Sequence, residues 1–132
     1  MLGSVDTGKT VIVADFEAGL GTLTRLGDVR VDTVVVVVEP MVKSLEVGTR
    51  AAAYAAAHST DHVVVVANRI RNDEDLAAVR RAFISSVTEI ITVPEDPAIG
   101  EADRHGVAPL DAAPNSPAVE ALSKLAELVG RS

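Results

Sequence analysis

Asp32-Thr33-Val34-Val35-Val36-Val37-Val38-Glu39-Pro40 is the stretch whose reading decides the fold. An unbroken apolar run of β-branched residues, closed by a proline, reads as a strand buried on both faces. Strands of that kind belong to parallel sheets covered by helices. His62–Asn68 repeats the pattern, again almost entirely valine. Between the two, Leu45–His58 reads as a helix with Ser44 as its cap, and its run Ala51–Ala57 has high helix propensity. Small side chains there let the helix lie close to the sheet.

The alternation continues in both directions. Upstream, Val11-Ile12-Val13-Ala14-Asp15 predicts a further strand, and Leu20–Leu26 a short helix or irregular connection. Downstream, Asp73–Phe83 predicts an amphipathic helix, with Leu76, Val79, Arg80 and Phe83 at helical spacing. Val87–Val93 predicts a strand stopped by Pro94, and Asp96–Arg104 a short helix. A loop carrying Pro109, Pro114 and Pro117 follows. The closing helix is Pro117–Val129, capped by Ser116 with Pro117 at its first position. Strand alternating with helix, without hairpin signals, predicts an α/β fold: a mostly parallel four-stranded sheet flanked by helices.

Composition agrees with this class and removes others. The 132 residues make a single domain, 1–132, with 48% hydrophobic and only 2% aromatic residues. The core is therefore aliphatic. A net charge of −7 and the lack of a basic run argue against nucleic acid as a partner. With no cysteine, disulfides, thiolate zinc sites and cysteine nucleophiles are ruled out. The apolar runs are too short for a transmembrane segment and Met1–Thr10 does not read as a signal peptide, so the expected location is cytoplasmic.

Gly3-Ser4-Val5-Asp6-Thr7-Gly8-Lys9-Thr10 matches the phosphate-loop pattern G-x-x-x-x-G-K-[ST]. The chemistry of that pattern requires a preceding strand and a following helix, whose N-terminus faces the phosphates. Here only Met1 and Leu2 precede it, and a β-rich segment follows. The expectation is a loop leading into the first strand.

In order and spacing, several segments resemble the second half of a MinD/ParA-type P-loop ATPase, most closely its CooC-like branch. They are Val13–Leu20, Asp32–Pro40 with Lys43–Glu46, Val65–Ile70, Val93–Gly106 and Ala113–Val119. The resemblance covers nearly all of Val11–Val129. It implies adenine-nucleotide binding, with ATP or ADP and Mg2+ as cofactors. Asp15 falls on the acidic position beside the magnesium ion, and Glu17, Ala18 and Gly19 on the loop near the γ-phosphate. Asn68 falls on the asparagine that recognises adenine, a role suited to a carboxamide that donates and accepts. Arg69 is the basic residue beside it, and Pro94 and Asp96 fall on the turn flanking base and ribose. Family members are dimeric ATPases that switch partner binding, which implies a homodimer or a partner chain.

The departures are as informative. The family's own phosphate loop and its catalytic aspartate belong upstream of Asp15, and no segment here corresponds to them. The cysteine pair of the nickel-handling branch is also missing. The reading is a truncated nucleotide-binding domain that keeps the base side of the site and hydrolyses ATP weakly or not at all alone. Two others stay open: a non-catalytic interaction module, and a phospho-accepting domain with Asp15 as acceptor. On simple local readings, Asn68 could end a turn, Arg69 could be a solvated charge, and Asp96 could cap the next helix. In the resembled fold a phosphate-loop strand separates the Asp15 strand from the Glu39 strand. Without it, direct pairing of Val11–Asp15 with Thr33–Val38 is expected.

Overall fold

The computed structural model describes residues 11–15, 30–84, 87 and 89–130. In chain order the elements are β1 (Val34–Val38), α1 (Val42–His58), β2 (Val63–Ile70), α2 (Asp73–Ala82), β3 (Glu89–Pro94), α3 (Pro97–Arg104), α4 (Pro109–Ala112) and α5 (Pro117–Gly130). Among the described residues the sheet has three strands, parallel throughout, in the order β1-β2-β3. No described helix is long and apolar enough to cross a membrane.

β2 is central, and its valine run is buried from Val63 through Ala67. Its alternating side chains serve two cores. On one face Val63, Val65 and Ala67 join Val36 and Val38 of β1, Ala52 and Ala55 of α1, and Val79 and Phe83 of the α2 layer. On the other, Val66 joins Val93 of β3 and Ala118 of α5, with Ile91, Ile99, Ala121 and Leu125 packed around them. This two-sided cover is what a near-pure valine strand requires.

α1 fits because its sheet-facing positions are minimal. Gly48, Ala52 and Ala55 are its buried residues. A Cβ added at Gly48 would lie 2.3 Å from Val38 Cγ1, so the helix backbone rides directly on β1. α1 also begins earlier than the expected Leu45. Met41 is its N-cap position, and Ser44 sits inside the first turn. Ser44 acts on the preceding strand instead, where its Oγ accepts the Glu39 N–H at 2.9 Å.

α2 is capped as its sequence suggests. Asn72 Oδ1 accepts the Asp75 N–H, acidic residues fill the first turn, and Arg80 and Arg81 lie in the last. In α5, Ser116 Oγ accepts the Val119 N–H and Pro117 opens the helix as expected. The proline loop contains one further short helix, α4.

The fourth strand requires correction. Val11–Asp15 is exposed and belongs to no strand, with Val13 82% accessible. Direct pairing with β1 is not formed. An apolar run carries a preference for burial, but a strand exists only where a neighbour takes up its backbone bonds. The Leu20–Leu26 segment lies outside the described residues.

Candidate functional site

Loops leaving the carboxyl ends of parallel strands are where open α/β sheets bind ligands. Three such ends meet here. β1 runs into Glu39, β2 ends in Asn68-Arg69-Ile70, and β3 runs through Pro94 into Glu95 and Asp96.

The end of β2 is irregular at the residues singled out for base recognition. Ala67 is paired with Thr92 and Ile70 with Pro94, so Asn68 and Arg69 together oppose Val93 alone. This is a bulge, a device that re-aims side chains next to functional sites. Arg69 has φ 58° and is the described non-glycine residue with positive φ. For a residue with a Cβ that conformation costs on the order of 1–2 kcal/mol.

Its guanidinium reaches across both neighbouring strand ends. Nη1 donates to Glu39 Oε1 at 3.2 Å and Nε to Glu95 Oε2 at 3.2 Å. The Glu95 N–H donates to the Ile70 carbonyl at 2.9 Å, tying the exit of β3 to β2. Arg69 is therefore a bridge over three strand ends rather than a free solvated charge. Exposed ion pairs contribute only about 0–1 kcal/mol each. They roughly offset the backbone strain, and their main effect is geometric. Asn68, half-buried beside this bridge, is held at the rim of the sheet.

Asp96 performs the capping its sequence position allows, and performs it twice. Oδ1 accepts the Ala98 N–H of α3 at 3.0 Å, and Oδ2 accepts the Ala118 N–H of α5 at 3.0 Å. One carboxylate joins two helix N-termini to the end of β3. The Ala118 N–H, then that of Ala98, and then Ser116 hold its carboxyl below the usual carboxylate range, against an opposing desolvation effect. A depressed native pKa means that the unfolded chain binds this proton more readily. The stabilisation is complete above the unfolded value of about 3.9 and is lost as pH falls through the lower native value. Asp96→Asn should lower the thermal midpoint near neutral pH. It should also reduce the stability lost between about pH 7 and pH 3 relative to wild type. Parallel pH profiles for the two proteins would contradict this role.

The expected site residues thus divide into groups. Asn68, Arg69, Pro94 and Asp96 gather at the carboxyl ends of β2 and β3. Asp15 lies on the exposed segment outside the sheet and makes no hydrogen bond or ion pair with them. Glu17, Gly19 and the Gly3–Thr10 loop lie outside the described residues. Glu39 and Glu95 were not among the expected site residues. The available signal was their place, each an acidic residue directly after a valine-ended strand or its proline.

A parallel sheet covered by helices, with polar residues collected at its carboxyl ends, is compatible with a Rossmann-like fold. No protein-family model matches the chain. It is similar to a protein of Methanocaldococcus jannaschii named "Uncharacterized ATP-binding protein MJ0547", with 30% identity over 122 residues. The match takes in 91% of this chain and 46% of the relative, so the chain spans about half the length of that protein.

Proposed function

We propose that this chain is the base-recognising portion of an adenine-nucleotide-binding domain of MinD/ParA/CooC-like type, hydrolytically weak or inactive alone. The observation that carries the reading is the Asn68-Arg69 bulge at the carboxyl end of the central parallel strand. Residues held in sparsely populated backbone conformations cluster at ligand sites, and Arg69 stands at the carboxyl end of a parallel strand, where open α/β sheets bind ligands. The ATP-binding name of the relative supports the same ligand class.

In this reading the Asn68 carboxamide pairs with the adenine edge, and Arg69 holds the bulge that presents it. Pro94 and Asp96 shape the turn beside base and ribose. Asp96 contributes through backbone placement, since both its oxygens already accept helix N–H groups. Asp15 would assist Mg2+, with Glu17 and Gly19 near the terminal phosphate. Catalysis of phosphoryl transfer is mostly positioning and charge stabilisation at the phosphates. The sequence context of Gly3–Thr10 does not supply these, so turnover at background is the expected activity.

Calorimetric titration with adenosine, ADP and ATP, with and without magnesium, tests the reading. ADP and adenosine should bind. Asn68→Ala should weaken ADP by about 1–3 kcal/mol, about 5- to 150-fold, by leaving base partners unmet. Unchanged affinity in that variant removes Asn68 from the site, and no binding of any of the three removes the nucleotide reading. ATP turnover that disappears in Lys9→Ala would overturn the expected inactivity.

A further inference from the structure

We infer that Glu39 and Glu95 are positioning residues of the base site: they act through Arg69 on Asn68, and so give an uncharged ligand a salt-dependent affinity. This role rests on the adenine-nucleotide reading of the same strand ends.

One side chain joins the three strand ends. Arg69 donates to Glu39 just beyond β1 and to Glu95 just beyond β3, both at 3.2 Å. Each glutamate is in turn fixed through its own backbone. The Glu39 N–H donates to Ser44 Oγ in the first turn of α1 at 2.9 Å, and the Glu95 N–H to the Ile70 carbonyl at 2.9 Å. The guanidinium is therefore held between two anchored residues. Its rigid fork also loses less freedom per bond than an ammonium would.

What the two glutamates hold is a backbone. Arg69 has φ 58°, a conformation that persists in a residue with a Cβ only where its surroundings over-determine it. Asn68 shares the bulge, since the two residues together oppose Val93. Closing the bulge would shift the strand by one residue at this point. A one-residue shift sends a side chain to the other face of the sheet. The direction in which Asn68 points is thus set by two carboxylates that need not touch the base.

The side chains of Arg69, Glu39 and Glu95 are 59%, 35% and 43% accessible. Ion pairs this exposed are screened by salt. The screening length falls from about 10 Å at 0.1 M to about 3 Å at 1 M, the span of an N···O contact. Neither adenosine nor the Asn68 carboxamide carries a charge, so salt reaches their contact through the bridge.

Calorimetric titration with adenosine, and with purine riboside, which lacks the amino group, tests this role. Raising sodium chloride from about 0.1 M to about 1 M should weaken adenosine by about 3- to 10-fold, the combined share of two exposed ion pairs. Glu39→Gln and Glu95→Gln keep an acceptor for the guanidinium but not the charge, and each should weaken adenosine by about 2- to 5-fold at the lower salt. The preference for adenosine over purine riboside should shrink in parallel, a change that a general loss of stability does not produce. Glycine takes φ 58° without strain, so in Arg69→Gly salt should have no effect, and adding Glu39→Gln none either. Salt-independent adenosine affinity in the wild-type chain, or equal loss from Glu39→Gln with and without Arg69, overturns the positioning role and leaves the adenine reading standing. No adenosine binding at either salt removes both.

Discussion

Phe83→Ala is expected to remove about 3–5 kcal/mol of unfolding free energy, the usual cost of truncating a buried phenylalanine. Phe83 closes α2 and is only 3% accessible. Its ring reaches the gap between α1 and β1, with Cζ 3.3 Å from where a Cβ on Gly48 would stand. Its buried neighbours include the short side chains Ala52, Ala55, Val36, Val38 and Val79, whereas the longer Leu45, Tyr54 and Leu76 pack only at the partly buried margin of this core. Short side chains have little reach into a vacated volume, so a large part of the cavity should persist. Stability of a domain this size is of the order of 5–15 kcal/mol, so the loss is a large share. Urea denaturation should show a lower midpoint with an unchanged slope. A loss below about 1 kcal/mol would mean that the core closes around the deletion.

Gly48→Ala opposes two rules of similar size. Helix propensity alone favours alanine by about 1 kcal/mol at a mid-helix position. Packing opposes it, because the new Cβ would stand 2.3 Å from Val38 Cγ1. Val38 is fully buried, and a valine has a single stiff side-chain torsion with no distal atoms to yield. The helix must lift from β1 instead, and overpacking of this kind costs typically 1–3 kcal/mol. With the propensity gain subtracted, we expect a net loss of up to about 2 kcal/mol, toward the upper end because the contact is with a rigid, fully packed residue. The displacement should also reach the candidate site. α1 begins just after Glu39, and its Ser44 accepts the Glu39 N–H. A lifted helix draws Glu39 away from Arg69. A variant more stable than wild type would show that α1 does not lie as close to β1 as described.

Both effects start from positions that one-dimensional reading treats differently. Phe83 carries a helical-period signal, and its burial followed from that spacing. Gly48 carries none, since a glycine inside an alanine-rich run looks only like a weak point of the helix. Its reason is a strand ten residues earlier, so only the contact between α1 and β1 reveals it.

The same division runs through the site. The carboxyl ends of the strands were legible because Val38-Glu39-Pro40, Ala67-Asn68-Arg69 and Val93-Pro94-Glu95-Asp96 mark where apolar runs give way to polar residues. That Arg69 spans Glu39 and Glu95 was not legible. The three residues lie on separate strands, and their approach depends on a bulge and a left-handed backbone that no local preference of arginine predicts. Asp96 was readable as the cap of α3, being adjacent to it, but its bond to Ala118 crosses 22 residues.

By itself the sequence determined the aliphatic core, the alternation of strand and helix, and the parallel class of the sheet. These follow from runs and periods that each segment carries whatever surrounds it. Only the tertiary structure decided which runs become strands and which polar groups become partners. Val34–Val38 and Val11–Asp15 are both apolar, yet the first pairs with β2 and is half covered by α1, whereas the second stands exposed outside the sheet. Burial preference is a property of a segment, but backbone pairing and ion pairing are properties of two segments at once, fixed only when the chain has brought them together.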